Sequence, residues 1–301
     1  MSIKKVLRNI PGLQALYWYL LMKYNKYLFN KDPKILANKS YRRTFKSDIN
    51  WEEPNDLNEK TIWMQFNTDT SLWSRLADKN AVREYVKEKG EERLLNKLYG
   101  SYASADDINF DILPNQFVLK TNNASGTVII VKNKEDLNIP KTRKKLNRWL
   151  GKSFIYNNAE LHYRNIEPCI TAEEFLEDKT QPQLIDYKFY CFYGVPESIF
   201  VVSHRSSRIH NFKANIYDTD WNRISEHLLY PIDENISKPK SYEIMVEACM
   251  NLSKDIPFVR IDFYEIDGKP FFGEMTFTPG YIFTKEYYTY LGSKLDLNKV
   301  V

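Results

Sequence analysis

Apolar and aromatic residues recur at steps of three and four near the start of the chain, at Leu13, Leu16, Tyr17, Leu20, Leu21, Tyr24 and Leu28, which predicts an amphipathic helix over residues 10–29. A basic linker to about residue 50 follows it. Between Asp56 and Gly90 the apolar positions Ile62, Phe66, Leu72, Leu76 and Val82 keep helical spacing behind Asp56 or Asn58 as a cap, so this segment reads as helix-rich. The texture changes at Pro114. Residues 117–121 and 127–131 are short β-branched runs on either side of Asn122-Asn123-Ala124-Ser125-Gly126, which predicts two strands and a polar loop. A basic helix over 135–150 and strands over 166–170, 184–193 and 197–203 come next, the last two joined by a turn at Gly194-Val195-Pro196. A helix over 242–253 precedes strands at 258–266 and 271–277, which flank the hairpin dipeptide Asp267-Gly268. Hairpins mixed with helices predict an α+β fold with mainly antiparallel sheets.

Charge divides the chain unevenly. Residues 1–46 hold eleven lysines and arginines, Lys4, Lys5 and Arg8 among them, against Asp32 alone, so this arm carries +10 of a chain whose formal net charge is +4. The body is therefore mildly acidic, and the arm suits a polyanionic surface such as a membrane. The uncharged stretch from Ile10 to Met22 is too short to span a bilayer and lacks a small-residue cleavage site, so no secretion signal is evident. Three widely spaced cysteines, Cys169, Cys191 and Cys249, point to a reducing compartment and away from a structural zinc site. The expected location is the cytoplasm, with peripheral contact at the inner face of the plasma membrane through residues 1–46.

Three segments offer chemistry. In residues 259–280, Arg260, Asp262 and Glu274 lie on the two strands of one hairpin. A strict two-residue turn at Asp267-Gly268 would set Asp262 opposite Gly273 and send Glu274 to the other face. A three-residue loop, or one bulge, would instead set Asp262 opposite Glu274, with Arg260 and Thr276 beside them. Two carboxylates brought together are costly without a cation, and Mg²⁺ with phosphate oxygens is a natural complement. Next, Lys120 ends a strand before a glycine-containing loop, a cation and backbone donors for a phosphate. Last, Glu173-Glu174-Phe175-Leu176-Glu177 is an acidic connection, followed by Lys188 on a long strand.

Taken in order, these segments resemble the ATP-grasp superfamily, and more narrowly the TupA-like ATP-grasp family named for teichuronopeptide biosynthesis. The resemblance runs from Asn58-Glu59-Lys60 through Ala77-Asp78-Lys79, Leu113-Pro114, residues 117–126, Asp186-Tyr187-Lys188-Phe189 and residues 218–221 to Pro279-Gly280. It implies two α+β lobes closing on ATP after a basic helical arm: an arm over 1–50, a helical region over 51–113, a central lobe over 114–176 and a C-terminal lobe over 177–301. It further implies that Lys120 holds the nucleotide phosphates under a flap formed by Asn122, Ser125, Gly126 and Thr127. Glu173, Glu174, Phe175 and Leu176 would meet adenine, Glu177 the ribose, and Lys79 and Lys188 would assist. Asp262 and Glu274 would bind magnesium with Thr276, which stands where many ATP-grasp enzymes carry Asn, and Asn123 replaces a histidine of many relatives. Arg260 would steady the acyl-transfer intermediate, and Arg205, Thr278, Pro279 and Gly280 would contact substrate. The reaction implied is ATP-dependent ligation of a carboxylate, a uronic acid of a bacterial surface polysaccharide, to an amino acid or amine, without nucleic acid as a partner.

Asp218-Thr219-Asp220 supports a rival reading. An Asp-x-Asp pair can hold a divalent metal and a nucleotide-sugar diphosphate in a glycosyltransferase, although it also reads as a polar turn before Trp221.

Overall fold

A computed structural model describes residues 11–124, 126–153, 155–180, 183–204 and 212–300. Lys4, Lys5, Arg8, Ser125 and Arg205 lie outside them.

Helix α1 (Pro11–Lys31) forms where the period predicts it, but residues 33–45 are helical as well and are not a linker. The reason is local: Asp32 caps α2 (Pro33–Phe45) by accepting from Lys34 N at 2.8 Å, and Pro33 suits the first helical turn. Leu28 and Phe29 of α1 pack with Leu36 and Tyr41 of α2, whereas Leu16, Tyr19, Leu20 and Tyr24 stay exposed. The helix-rich segment begins with a capping box, Asp56 accepting from Glu59 N and Glu59 from Asp56 N, which starts α3 (Leu57–Asn67). Helices α4 (Ser71–Ala77) and α5 (Val82–Glu88) follow.

The central sheet has the order β1-β4-β2-β3, all antiparallel, from β1 (Leu98–Tyr102), β2 (Phe117–Thr121), β3 (Val128–Val131) and β4 (Ile170–Glu174). Two positions depart from the sequence pattern. β1 arises beyond the helix-rich residues 56–90, within the region 51–113 that the resemblance implies to be helical, and β4 starts where a strand was expected to end, so the acidic Glu173-Glu174 is strand and not connection. Amphipathic α6 (Ile139–Leu150) buries Leu146 with Phe117 and Leu119 of β2, and the short α7 (Ile155–Asn158) packs against α1 and α2.

The second sheet has the order β7-β6-β5-β8-β9, again antiparallel: β5 (Asp186–Phe192), β6 (Val195–Ser203), β7 (Lys213–Tyr217), β8 (Val259–Ile266) and β9 (Lys269–Thr276). Strand β7 has no counterpart in the predicted elements. Central strand β5 is buried along its whole length. One face of the sheet is apolar, with Phe189, Cys191, Val259, Ile261 and Phe263 in the main core beside Met245, Ala248 and Cys249 of α8 (Tyr242–Ser253). The other face is polar and carries the site. A final helix, α9 (Lys285–Ser293), docks on α3 through Lys60, whose ammonium donates to the Gly292 and Leu295 carbonyls at 2.8 and 2.7 Å. No described helix is long and apolar enough to cross a membrane.

Candidate active site

The hairpin β8–β9 resolves the register question through a bulge. Ile266 pairs with Lys269 across a two-residue turn in which Asp267 and Gly268 both have positive φ, at 51° and 76°, as the favoured hairpin turn demands. The pairing then shifts between Phe263 and Asp262, leaving Gly273 as the extra residue. Glycine suits that place because a Cβ there would sit 3.0 Å from the Asp262 carbonyl oxygen. Beyond the bulge Asp262 faces Glu274, and Arg260 faces Thr276. On the adjacent strand Lys188 pairs with Asp262. The three strands therefore set Lys188, Asp262 and Glu274 side by side on one face.

Their charges interlock. Asp262 is nearly inaccessible; it accepts two hydrogen bonds from Arg260, at 2.7 and 2.8 Å, and one from the Lys188 ammonium. Arg260 also donates to Glu274 at 3.1 Å and to the Thr276 hydroxyl at 3.0 Å. Burial works against the Arg260 charge, but Asp262 with its neighbours outweighs it and raises the pKa. Burial likewise pushes Glu274 upward, yet Lys79, Arg260 and Lys188 together bring it down to about 2. Glu274 still leaves 37% of its side chain open to the cleft.

The central lobe supplies the opposite wall. Lys120 Nζ meets Glu173 at 2.8 Å, a diagonal pair across β2 and β4 that long side chains can reach. Glu173 also accepts from Thr171 at 2.8 Å and from Asn96 at 3.1 Å. Burial raises its pKa, and Lys120 with these hydrogen bonds more than compensates, so it is lowered. Lys79 joins the lobes: its ammonium donates to the Ala124 carbonyl of the loop at 3.0 Å and lies 3.6 Å from Glu274. The cavity enclosed has a volume of about 350 Å³. Lys79, Arg83, Lys120, Lys188 and Arg260 line it against Glu173, Asp186, Asp262 and Glu274, one cation in excess. An anionic ligand arriving with a divalent cation fits that balance.

The sequence candidates do not all reach this cavity. Gly126 and Leu176 line it. Asn122 sits beneath the loop, its amide bonded to Asp78, the Glu167 carbonyl and Cys169 N, and Thr127 bonds Thr121 at 2.6 Å. Glu174 accepts from Lys97 N, while Phe175 lies under the Lys132 ammonium and Glu177 pairs with it. Thr278, Pro279 and Gly280 line a second, separate cavity of about 810 Å³. Arg83 and Asn96 escaped sequence reasoning. Arg83 lies on a short helix with no local motif, and only folding brings it to Asn96, and through Asn96 to Glu173.

Asp218 is committed to its own turn, accepting from Asp220 N at 3.0 Å and from the Asn222 backbone and amide at 2.7 and 3.0 Å. The turn is closed by Tyr217 stacked on Trp221 with centroids 4.2 Å apart. The Asp-x-Asp pair lines none of the described cavities that contain the other candidates.

Comparison with family models matches residues 59–296 to the TupA-like ATPgrasp family. The chain belongs to the TupA-like ATP-grasp family. Among solved structures, D-alanine–D-alanine ligase from Bacillus anthracis complexed with ATP is similar at 16% identity and a TM-score of 0.50, over 76% of this chain and 67% of that one. A second structure of D-alanine–D-alanine ligase from Bacillus anthracis is similar at 16% identity and a TM-score of 0.51, over 77% of this chain and 71% of that one. These likenesses show the ATP-grasp fold. Sequence comparison with curated proteins finds no match.

Among the described residues no three His, Cys, Asp or Glu side chains gather as a metal-binding group. In this TupA-like ATP-grasp chain the oxygen donors on this face that would be available to a cation are the Asp262 and Glu274 carboxylates and the Thr276 hydroxyl. That set fits Mg²⁺, which takes hard oxygen ligands, commonly one or two carboxylates completed by phosphate and water.

Proposed function

We propose that the protein is an ATP-dependent carboxylate–amine ligase acting through an acyl phosphate, and that it amidates a uronic acid with an amino acid or amine in bacterial surface polysaccharide synthesis. One observation carries the reading: the Asp262–Glu274 pair on β8 and β9 faces Lys120 and Lys79 across a cavity between the sheets. Family membership supports the nucleotide, and the polysaccharide role rests on the family resemblance alone.

In this reading Lys120, Lys79 and Lys188 bind and orient the nucleotide phosphates. Asp262 and Glu274 with Thr276 would hold Mg²⁺, which supplies charge neutralisation at the transferring phosphoryl group. Arg260 stabilises the oxyanion that develops when the amine attacks the acyl carbon. Glu173, tied to Lys120, fixes the direction of that ammonium, and Leu176 offers an apolar wall to the base. No covalent protein nucleophile is required. The exposed apolar residues of α1 with Lys23, Lys26 and the other arm cations support reversible contact with an anionic membrane surface, where lipid-linked intermediates would be found.

The test is mass balance. Incubation with Mg-ATP, a panel of free and nucleotide-linked uronic acids and the common amino acids should release ADP and phosphate and give a product equal to both substrates less one water. Release of nucleoside diphosphate from the sugar donor with no ATP consumed would overturn the proposal and favour the glycosyltransferase.

A further inference from the structure

The cavity of about 810 Å³ that opens past the end of β9 belongs to no part of the site described so far. Its walls come from Trp18 of α1, from α2 and α3, from the segment around Asn158 and Glu160, and from residues 278–281. Thr278 lies two residues beyond Thr276, so at most about 7 Å of chain separates it from the face that carries Asp262 and Glu274. Two features of its lining point to a ligand. Asn58 is 2% exposed, and its amide nitrogen has no hydrogen-bond partner, an arrangement that folded proteins seldom tolerate unless something else satisfies the group. Glu160 accepts from the Thr278 hydroxyl at 2.7 Å through one carboxylate oxygen, and no described residue donates a hydrogen bond to the other.

We infer that this cavity receives the amine substrate, and that Glu160 is the base that takes the proton from its ammonium group. The inference rests on the ligase reading and assigns that reaction its second substrate site. Arg43 from α2 and the free Asn58 amide provide donors on one wall, and Glu160 provides an acceptor on another. A molecule bearing both a carboxylate and an ammonium group, an amino acid, matches that polarity. The titratable and charged groups facing Glu160 are Arg43 from α2, Tyr281 after β9 and Tyr163 from its own turn. Burial raises the Glu160 pKa, against the smaller opposing effect of the Thr278 hydrogen bond, which makes it a better proton acceptor than an exposed glutamate. The step balances. The ammonium passes one proton to Glu160, the nitrogen lone pair forms the C–N bond at the acyl carbon, and the C–O bond to phosphate breaks with its electrons leaving on phosphate. The nitrogen's second proton departs on hydrogen phosphate, and Glu160 returns its own to water.

Glu160→Gln keeps an acceptor for Thr278 and removes the base. The probes are hydroxylamine, a nucleophile largely neutral at pH 7 that needs no base, and an amino-acid pool of glycine, L-alanine, L-glutamate and L-lysine. Each is offered with Mg-ATP and the panel of D-glucuronate, D-galacturonate and UDP-glucuronate. The variant should form hydroxamate and release ADP with hydroxylamine as the wild type does, while amide formation from the amino acids falls about 100-fold or more. The fall in wild-type amide formation at low pH should also vanish. Intact hydroxamate formation would show that the variant folds and activates the carboxylate. Wild-type amide rates in Glu160→Gln, with hydroxamate still formed, would overturn the role of Glu160 and leave the ligase reading standing. A wild type that forms no hydroxamate from any carboxylate of the panel would overturn both.

Discussion

Asp262→Asn and Glu274→Gln should both stop turnover, but the first should weaken the fold more than the second. Each removes one charge from the proposed metal site at nearly constant volume. Their surroundings differ. Asp262 is 2% exposed and is the shared partner of Arg260 and Lys188, themselves 8% and 7% exposed. Taking one partner from a buried ion pair costs about 3–5 kcal/mol, because the remaining charge stays buried without compensation. Asparagine still accepts one hydrogen bond, and Asp186 lies 3.6 Å from Lys188, so the lower end, about 3 kcal/mol, applies. Glu274 is more open, and Arg260 keeps Asp262 when Glu274 is neutralised, so that cost should be about 1 kcal/mol or less. Urea unfolding without nucleotide reads the stability difference, and ADP release with Mg-ATP reads the chemistry. Equal unfolding free energies for the two variants would refute the argument that Asp262 bears the structural charge. Wild-type ADP release from either would refute the metal assignment.

Lys120→Ala should raise the apparent KM for ATP and lower kcat, and it should also cost stability because it strands Glu173, which is 5% exposed; steady-state kinetics that leave both constants unchanged would remove Lys120 from the site. By contrast Asp218→Ala and Asp220→Ala should leave turnover near the wild-type rate, and loss of activity there but not at Lys120 would restore the glycosyltransferase reading. Glu274 has its folded-state pKa held at about 2 against an ordinary 4.5, so its stabilising contribution is present above 4.5 and should be lost as pH falls from 4.5 towards 2. Comparing acid unfolding of the wild type and Glu274→Gln tests this, since the variant should lose less stability across that window. The full chain should pellet with anionic liposomes at low salt more than a chain starting near Trp51, and equal, negligible pelleting of both would retire the membrane contact.

Much of the candidate site was legible because its signals are local in sequence. The period of two placed Arg260, Asp262, Glu274 and Thr276 on one hairpin, and Asp267-Gly268 marked its turn, since both follow from neighbouring residues. Lys120 before its glycine loop and a helix cap at Asp56 or Asn58 were readable for the same reason. Local pattern could not choose the register. The bulge at Gly273 depends on how β9 lies against β8, and that one residue decides whether the two carboxylates meet. The strand at 170–174 was displaced in the sequence reading because Glu173 and Glu174 look solvated, whereas in the fold Lys120, Thr171 and Asn96 compensate a buried Glu173. Strand β1, paired with β4, and helix α9, docked on α3, draw their stability from partners distant in the chain, so their own residues carried little signal. Arg83, Asn58 and Glu160 became candidates only through packing, because charge compensation and an unpaired buried amide are properties of contacts between segments and not of any one segment.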